Sequence, residues 1–570
     1  MSLLSTHAGL ARRVTASSRP QDWLPSLASV HSVRRRPRAP RAIVTMMSSA
    51  TAPSRGTYDA LQNGSDVRGV AMEGVEGEDI NLTSDAVKHI SAAFVEWLSE
   101  REGVTTPVRI AVGRDSRLTG ESLVASMAEG VTGAGGYIYD TGLGTTPAMF
   151  MACITDGFSY DGSVMLTASH LPFNRNGMKF FTKDGGLNKK DIKAILDKAN
   201  TLCAEGSASK KDMPPGEREQ IDFMPVYAAQ LVDTIRKGVN SPVNYEKPLE
   251  GMHVLVDAGN GSGGYFVDKV LAPLGAKTEG SQFLEPDGTF PNHVPNPEDK
   301  EAMAMASEAL KKANADLAIV FDTDVDRSGL VDKSGKEFNK NLLIAAISAV
   351  VLRETPGATI VTDSVTSNGL AEFIQSLGGV HYRYRRGYKN VIDKGVELNK
   401  SGQVTPLMIE TSGHGALMEN HFLDDGAYLA VKLLIEVARR KLDGDTEGLM
   451  GLVKGLKEPT EAREMRMKID KERYDYTAYG SDVLNGLKEF VSGSSCPRGW
   501  SLEEVNHEGW RINVDEGGGK NGWLLLRQSL HDPIMPLNVE SEMEGGVAAI
   551  VADLLPFLER FDGLDLSVLK

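Results

Sequence analysis

After residue 57 the chain alternates short apolar runs with amphipathic stretches, and this alternation restricts its fold more than any other feature. Strand-length runs occur at Val108 to Val112, Ser163 to Leu166, His253 to Val256, Leu317 to Phe321, Ala358 to Val361 and Pro406 to Ile409. Between them, Thr83 or Ser84 caps a predicted helix that carries Val87, Ile90, Phe94 and Trp97 on one face. Leu123, Met127 and Val131 repeat the spacing in the next helix. Such alternation predicts parallel or mixed sheets covered by helices, with ligand loops at the carboxyl ends of strands. The loops with chemical side chains fall there: Gly113-Arg114-Asp115, Thr167 to His170, Asp257 to Gly264, Asp322 to Arg327 and Glu410 to His414. The strand-loop-helix pattern recurs about three times before the last 110 residues, so three related α/β domains and a different fourth are expected. The charged stretch Lys454 to Lys471 is expected to be a linker.

Length and charge agree with this layout. A chain of 570 residues corresponds to three to five domains at about 100–200 residues each. A net charge of −15 argues against nucleic acid as a partner. Cys153, Cys203 and Cys496 are too far apart in sequence for a disulfide framework or a zinc site, which implies a reduced protein. The longest apolar run, Leu342 to Leu352, is too short for a bilayer, which needs about 20 residues. Residues 1–50 are different. They hold eight arginines, nine serines, no lysine and a single acid, Asp22, the composition of an organelle transit peptide. A plastid is placed ahead of a mitochondrion; the other reading is a disordered basic tail.

Two loops carry most of the chemistry. Thr167-Ala168-Ser169-His170 follows the run Ser163 to Leu166 and precedes Asn176-Gly177-Met178-Lys179. A serine at a strand end, beside a histidine and with a lysine ten residues on, suits a hydroxyl in a phosphate-handling pocket. In Asp322-Thr323-Asp324-Val325-Asp326-Arg327, alternating carboxylates can converge on one hard cation such as Mg2+, which takes oxygen ligands and leaves positions for phosphate. An EF-hand is disfavoured, because Arg327 and Lys333 stand where that loop needs glycine and glutamate. Gly259 to Gly264 lacks the Lys-Ser/Thr ending of a nucleotide loop and is expected to be a tight strand-to-helix turn. His170 is either a site residue or a buried, hydrogen-bonded histidine. Arg114 is a possible phosphate-site support, or simply a partner of Asp115.

Taken in order, these motifs resemble the α-D-phosphohexomutases, a superfamily of phosphoglucomutases, phosphomannomutases and phosphoglucosamine mutases. Ser65-Asp66-Val67-Arg68-Gly69 resembles the family's opening phosphate-contacting loop, and Thr167 to His170 its phosphoserine loop. Asp322, Asp324 and Asp326 match its magnesium aspartates, with Arg327 after them. Gly387-Tyr388-Lys389 resembles the substrate-orienting loop, and Glu410-Thr411-Ser412-Gly413-His414 the sugar-binding loop. Arg527-Gln528-Ser529, with Asp532-Pro533 after it, resembles the phosphate-clamping loop.

The resemblance implies a four-domain α/β architecture around a central cleft, with three mixed-sheet domains and a C-terminal α+β domain. The expected segments are 57–240, 245–336, 337–452 and 459–570. It implies catalytic roles for Ser169, His170, Lys179 and Arg68, with Ser169 joining Asp322, Asp324 and Asp326 around magnesium. Substrate contacts are expected from Arg327, Gly387, Tyr388, Lys389, Glu410, Ser412 and His414, and phosphate contacts from Arg527 and Ser529. The implied activity interconverts hexose 1-phosphate and hexose 6-phosphate, glucose first and mannose next, through phosphoserine and a bound 1,6-bisphosphate that also primes the enzyme. No nucleic acid or membrane partner is implied, and the oligomeric state is left open. The alternatives are a phosphoglucosamine mutase, a member that mainly makes or releases the bisphosphate, and a non-catalytic sugar-phosphate-binding regulator. Departures from the family pattern are Leu171 after the histidine, the longer turn Phe173-Asn174-Arg175, Thr323 in the metal loop and Leu530-His531-Asp532 in the clamp.

Overall fold

All six predicted strand runs form strands, at Arg109–Arg114, Gly162–Leu166, Val254–Asp257, Leu317–Phe321, Thr359–Thr362 and Leu407–Ile409. The structure, a computed structural model, describes residues 57–103, 107–206, 216–529 and 532–570. The expected transit segment 1–50 and the clamp residues Leu530 and His531 lie outside the described residues.

In the first sheet Gly162–Leu166 pairs in parallel with Arg109–Arg114, which pairs in parallel with Tyr137–Leu143. On its other side it pairs antiparallel with Arg175–Thr182, and that strand pairs antiparallel with Asp66–Val70. The register sets Arg68 opposite Gly177 and Lys179 opposite Met165. The opening loop, the Ser169 loop and Lys179 are therefore neighbours before any ligand is considered. The predicted helix forms as Ser84–Glu102, where the Thr83 hydroxyl accepts from Ala86 N at 3.2 Å. Val87, Ile90, Phe94 and Trp97 are all buried beneath it, each worth roughly 1.5–3 kcal/mol.

The second and third sheets repeat one device. Leu317–Phe321 runs parallel to Val254–Asp257 and then reverses into the antiparallel strand Ser328–Asp332, so the three aspartates occupy the reversal. Leu407–Ile409 runs parallel to Thr359–Thr362 and reverses into Gly415–Leu417, which makes Glu410 to His414 the corresponding loop. The Ser169 loop is likewise the reversal between Gly162–Leu166 and Arg175–Thr182. All three α/β units thus present their chemical loop at the end of a strand that turns back on itself.

The fourth sheet is antiparallel throughout, in the order Glu461–Lys468, Ile534–Ser541, Lys520–Leu526, Trp510–Gly517 and Trp500–Leu502. Its helices are Tyr476–Ser492 and Gly546–Leu558. The middle of the stretch expected to be a linker, eight residues, is therefore the edge strand Glu461–Lys468. Met465 and Met467 face the core, while Arg463, Glu464, Arg466 and Lys468 lie on exposed or half-exposed positions and supply the charge seen in the sequence. Charged residues are common on such edges because they discourage pairing with other chains.

One buried cluster extends from Ala111 to Val453 and joins the first three α/β units. Tyr227, Leu231 and Ile235 of the helix Met224–Val239 lie in it, as does the apolar face of Lys340–Glu354. The fourth unit has its own core, and a small cluster of Val365, Trp523 and Leu525 connects it to the third. All three cysteines are free. Among the described residues no helix is long and apolar enough to cross a membrane.

Candidate active site

Ser169 lies at the centre of a buried polar cluster and holds a left-handed backbone, with φ +51°. Serine seldom takes this conformation without support from its surroundings. Its Oγ donates to Asp322 Oδ2 at 3.1 Å and accepts from Arg327 at 2.8 Å. The same Arg327 nitrogen lies 2.8 Å from His170 Nδ1. His170 keeps an exposed surface, yet the loss of water around its ring and the Arg327 and Arg68 charges beside it lower its pKa from the usual histidine value, which favours the neutral ring. Arg68 donates to the carbonyl of Ala168 at 2.9 Å and pairs with Asp66 at 2.9 Å.

The metal-loop candidates fit a cation. Asp322, Asp324 and Asp326 are fully buried, and one oxygen from each lies within 4.8 Å of the others. Asp324 Oδ1 and Asp326 Oδ1 are buried with no hydrogen-bond donor. Lys179 Nζ bonds the other oxygens of both, at 3.2 Å for Asp324 and more closely for Asp326. Burial, and then the nearby Asp326 charge, pushes Asp322 well above the carboxylate range. Burial acts in the same direction on Asp326, but Lys179, His414 and Arg327 overcome it and hold that carboxyl low. A cluster of three buried carboxylates that disfavours the charge on Asp322, and leaves one oxygen of Asp324 and one of Asp326 without donors, suits an added hard cation. Val325 inside the loop is also left-handed (φ +64°), an uncommon conformation for a β-branched residue that concentrates strain at this point.

Other elements hold the loop from outside. Thr146, in the first turn of the helix Thr146–Ile154, donates its hydroxyl to Asp324 Oδ2 at 2.5 Å and its amide to the Asp324 carbonyl at 2.9 Å. The glycine-rich segment is the tight turn expected, and it packs against the metal loop. A Cβ at Gly261 would lie 2.6 Å from the Thr323 carbonyl oxygen, and Ser262 N donates to that oxygen at 2.8 Å.

The third unit reaches the same cluster through His414 and Tyr388. His414 Nδ1 bonds Asp424 at 2.7 Å and lies 3.8 Å from Asp326. Burial opposes its charge, yet Asp424 and Asp326 raise it to about 9. Tyr388 stacks on His414 with ring centroids 5.0 Å apart, and its hydroxyl donates to Asp66 at 3.2 Å, linking the third unit to the first. Alongside, Glu410 accepts from Gly387 N at 2.7 Å and from Ser412 Oγ at 3.4 Å. Burial, with Asp363 nearby, raises Glu410 to about 7. Arg527 comes in from the fourth unit and pairs with Glu508 at 3.5 Å, while Ser529 Oγ accepts from Asp532 N at 3.2 Å.

Two of the sequence candidates lie to one side. Lys389 pairs at 2.5 Å with Asp393 one turn along its own helix, Tyr388–Lys400. Arg114 pairs at 2.6 Å with Glu121. The residue that occupies the expected place of Arg114 is Arg117, which sequence reasoning missed. Its guanidinium is buried and donates to four carbonyls: Ser169 at 2.5 Å, Leu171 at 2.6 Å, Pro172 at 2.7 Å and Arg175 at 2.8 Å. It also pairs with buried Asp115 at 3.3 Å. Arg117 thus holds the whole Ser169 turn through its backbone. Removing one partner of a buried ion pair costs about 3–5 kcal/mol. Arg117→Ala is therefore expected to lower the urea midpoint by that equivalent, and Arg117→Lys to recover only part of it, because one ammonium cannot reach four carbonyls. A midpoint unchanged in both variants would remove Arg117 from this role. The only signal in the sequence was a second arginine three residues after the first.

Known proteins show the same plan. Three family models, described as phosphoglucomutase/phosphomannomutase alpha/beta/alpha domains I, II and III, match residues 59–204, 229–335 and 339–450. A phosphoglucomutase of Neisseria gonorrhoeae is 28% identical over 485 residues, covering 84% of this chain and 93% of that protein. A phosphomannomutase/phosphoglucomutase of Pseudomonas aeruginosa is 30% identical over 364 residues, covering 62% and 72%. The crystal structure of a phosphoglucomutase/phosphomannomutase family protein from Burkholderia thailandensis superposes with a TM-score of 0.69 at 25% identity, covering 89% of this chain and 99% of that one.

Proposed function

The chain belongs to the phosphoglucomutase/phosphomannomutase family of isomerases, and we propose that it interconverts hexose 1-phosphate and hexose 6-phosphate through phosphoserine at Ser169. The observation that carries this reading is the convergence of Asp322 and Arg327 on Ser169 Oγ, with donorless carboxylate oxygens of Asp324 and Asp326 in the same buried cluster. Asp322, Asp324 and Asp326 would hold magnesium, which when bound supplies positive charge for the phosphoryl oxygens.

The remaining steps belong to residues of this chain. Phosphate on Ser169 passes to the free hydroxyl of a hexose monophosphate: the Oγ–P bond breaks, a P–O bond to the sugar forms, and the proton released by the sugar hydroxyl ends on Oγ, which is left as the serine hydroxyl beside Arg327. The arginine cation stabilises that oxygen as the leaving group. The resulting 1,6-bisphosphate turns end over end and returns its other phosphate to Oγ, and free bisphosphate serves as primer. Lys179 adds charge to the transferring group; burial works against its ammonium, but Asp324 and Asp326 keep it protonated. Glu410 and Ser412 accept and donate to the sugar hydroxyls, while Arg527 and Ser529 hold whichever phosphate is distal. Arginine suits that task because it binds phosphate bidentately.

The test is an assay on the 1-phosphates of glucose, mannose and glucosamine with magnesium and a trace of bisphosphate, with glucose expected first and mannose next. Hydrogen bonds to a charged group contribute roughly 1.5–3 kcal/mol, so Glu410→Ala is expected to cost about ten- to a hundredfold in kcat/KM. Arg527→Ala is expected to release more free bisphosphate per turnover and to depend more on added primer. Absence of isomerisation with all three sugars overturns the reading. Unchanged leakage in Arg527→Ala assigns the clamp elsewhere.

A further inference from the structure

We propose that Glu508 is a resident anion in the phosphate clamp, an internal competitor that a sugar phosphate must displace from Arg527. The inference rests on the reading of Arg527 as the clamp.

Glu508 lies between the strands Trp500–Leu502 and Trp510–Gly517. Its loop is pressed onto the clamp at Gly509, where a Cβ would fall 2.1 Å from the Leu526 carbonyl oxygen and 2.8 Å from Arg527 Cα. The Glu508 carboxylate accepts from Ser364 Oγ at 2.7 Å and from Arg386 N at 3.0 Å, and its other oxygen lies 3.5 Å from Arg527. A hydroxyl, a backbone N–H and a guanidinium around one anion form a donor set equally suited to phosphate. The next amide, Gly387 N, is held by Glu410. The internal carboxylate and the proposed sugar ligand therefore occupy consecutive amides, so a hexose engaged by Glu410 brings its phosphate close to the position of Glu508.

The pairing with Arg527 is incomplete, which is why it can be exchanged. Both side chains are about one-tenth exposed, the contact is longer than a hydrogen bond, and Arg527 Nε is buried without an acceptor among the described residues. A buried cation with no counter-charge is costly, so Glu508 stabilises the empty clamp. The same charge lowers apparent affinity, because ligand meets only the fraction of enzyme whose arginine is free. It also gives Arg527 somewhere to return when the bisphosphate lets go and turns.

Glu508→Gln isolates this effect, since its amide oxygen still accepts from Ser364 and Arg386 while the charge is lost. The variant is expected to lower KM for glucose 1-phosphate roughly three- to tenfold, with a parallel fall in the inhibition constant of inorganic phosphate. Free bisphosphate per turnover should fall as well, opposite in sign to Arg527→Ala. None of these changes should survive in the Arg527→Ala background. Glu508→Ala, which removes the docking bonds too, should shift phosphate inhibition in the same direction. A KM and phosphate constant that stay level or rise in Glu508→Gln overturn the proposal. If Arg527→Ala itself leaves KM and leakage unchanged, it is the clamp reading that has failed; if only the Glu508 variants are silent, that reading stands and the competitor does not.

Discussion

Ser169→Ala is expected to turn over hexose phosphate on the order of 10⁴-fold more slowly than wild type or worse, because no other group in the cluster offers a nucleophilic oxygen at that position. The fold should tolerate the change. Alanine keeps the Cβ in the same left-handed backbone, so the strain at φ +51° is neither added nor relieved. The loss is the hydrogen bonding of one hydroxyl to Asp322 and Arg327, on the order of 1–3 kcal/mol, in a turn still fastened by Arg117. Intact mass after incubation with bisphosphate should show one phosphate on wild type and none on the variant. A variant that turns over normally, or that carries the same phosphate, removes Ser169 from the mechanism.

Chelation is expected to abolish turnover, and magnesium to restore it. Asp324→Asn gives a readout separate from activity. Asp324 offers a buried oxygen with no donor, and its other oxygen already serves Thr146 and Lys179, so an amide keeps the Thr146 bond and removes a charged ligand. A cation bound only by the folded protein stabilises it by about 2.7 kcal/mol at a hundred times its dissociation constant. Magnesium should therefore raise the thermal transition of wild type, and raise that of Asp324→Asn much less. Equal shifts in the two proteins, or full activity in excess chelator, would contradict the assignment of this loop.

The parts of the molecule legible in the sequence are those that local chemistry determines. Strand runs such as Leu317 to Phe321 are apolar because both faces are covered, and the loops after them stand out because carboxylates seldom follow such a run without a purpose. The edge strand Glu461–Lys468 was hidden because one of its faces is solvated and charged, which makes its composition that of a linker. Arg117 was missed for a different reason. It acts on carbonyl groups, which every residue possesses, so its partners leave no trace in residue type. Glu508 and Thr146 owe their places to contacts across units, and spacing along one chain does not report on those. Lys389 shows the converse: it belongs to a recognisable motif, yet its ammonium is engaged by Asp393 on the same helix.

The division of the interior bears on how the chain is made. One core cluster draws only on residues between Tyr58 and Ala199, and another only on residues from Met465 onward. The cluster between them needs Ala111 at one end and Val453 at the other. During synthesis the first can condense early, whereas the middle one stays open until the helix Gly426–Leu442 has left the ribosome. Ser169 and the aspartate loop meet across segments that share this late-closing interior. A nascent chain therefore carries its reactive serine for about 250 residues of elongation (Ser169 to Gly426) before the helix that completes the surrounding core exists. The site of the first three units is complete only when that shared core is closed, whereas the clamp-bearing unit has a core cluster drawn from its own residues.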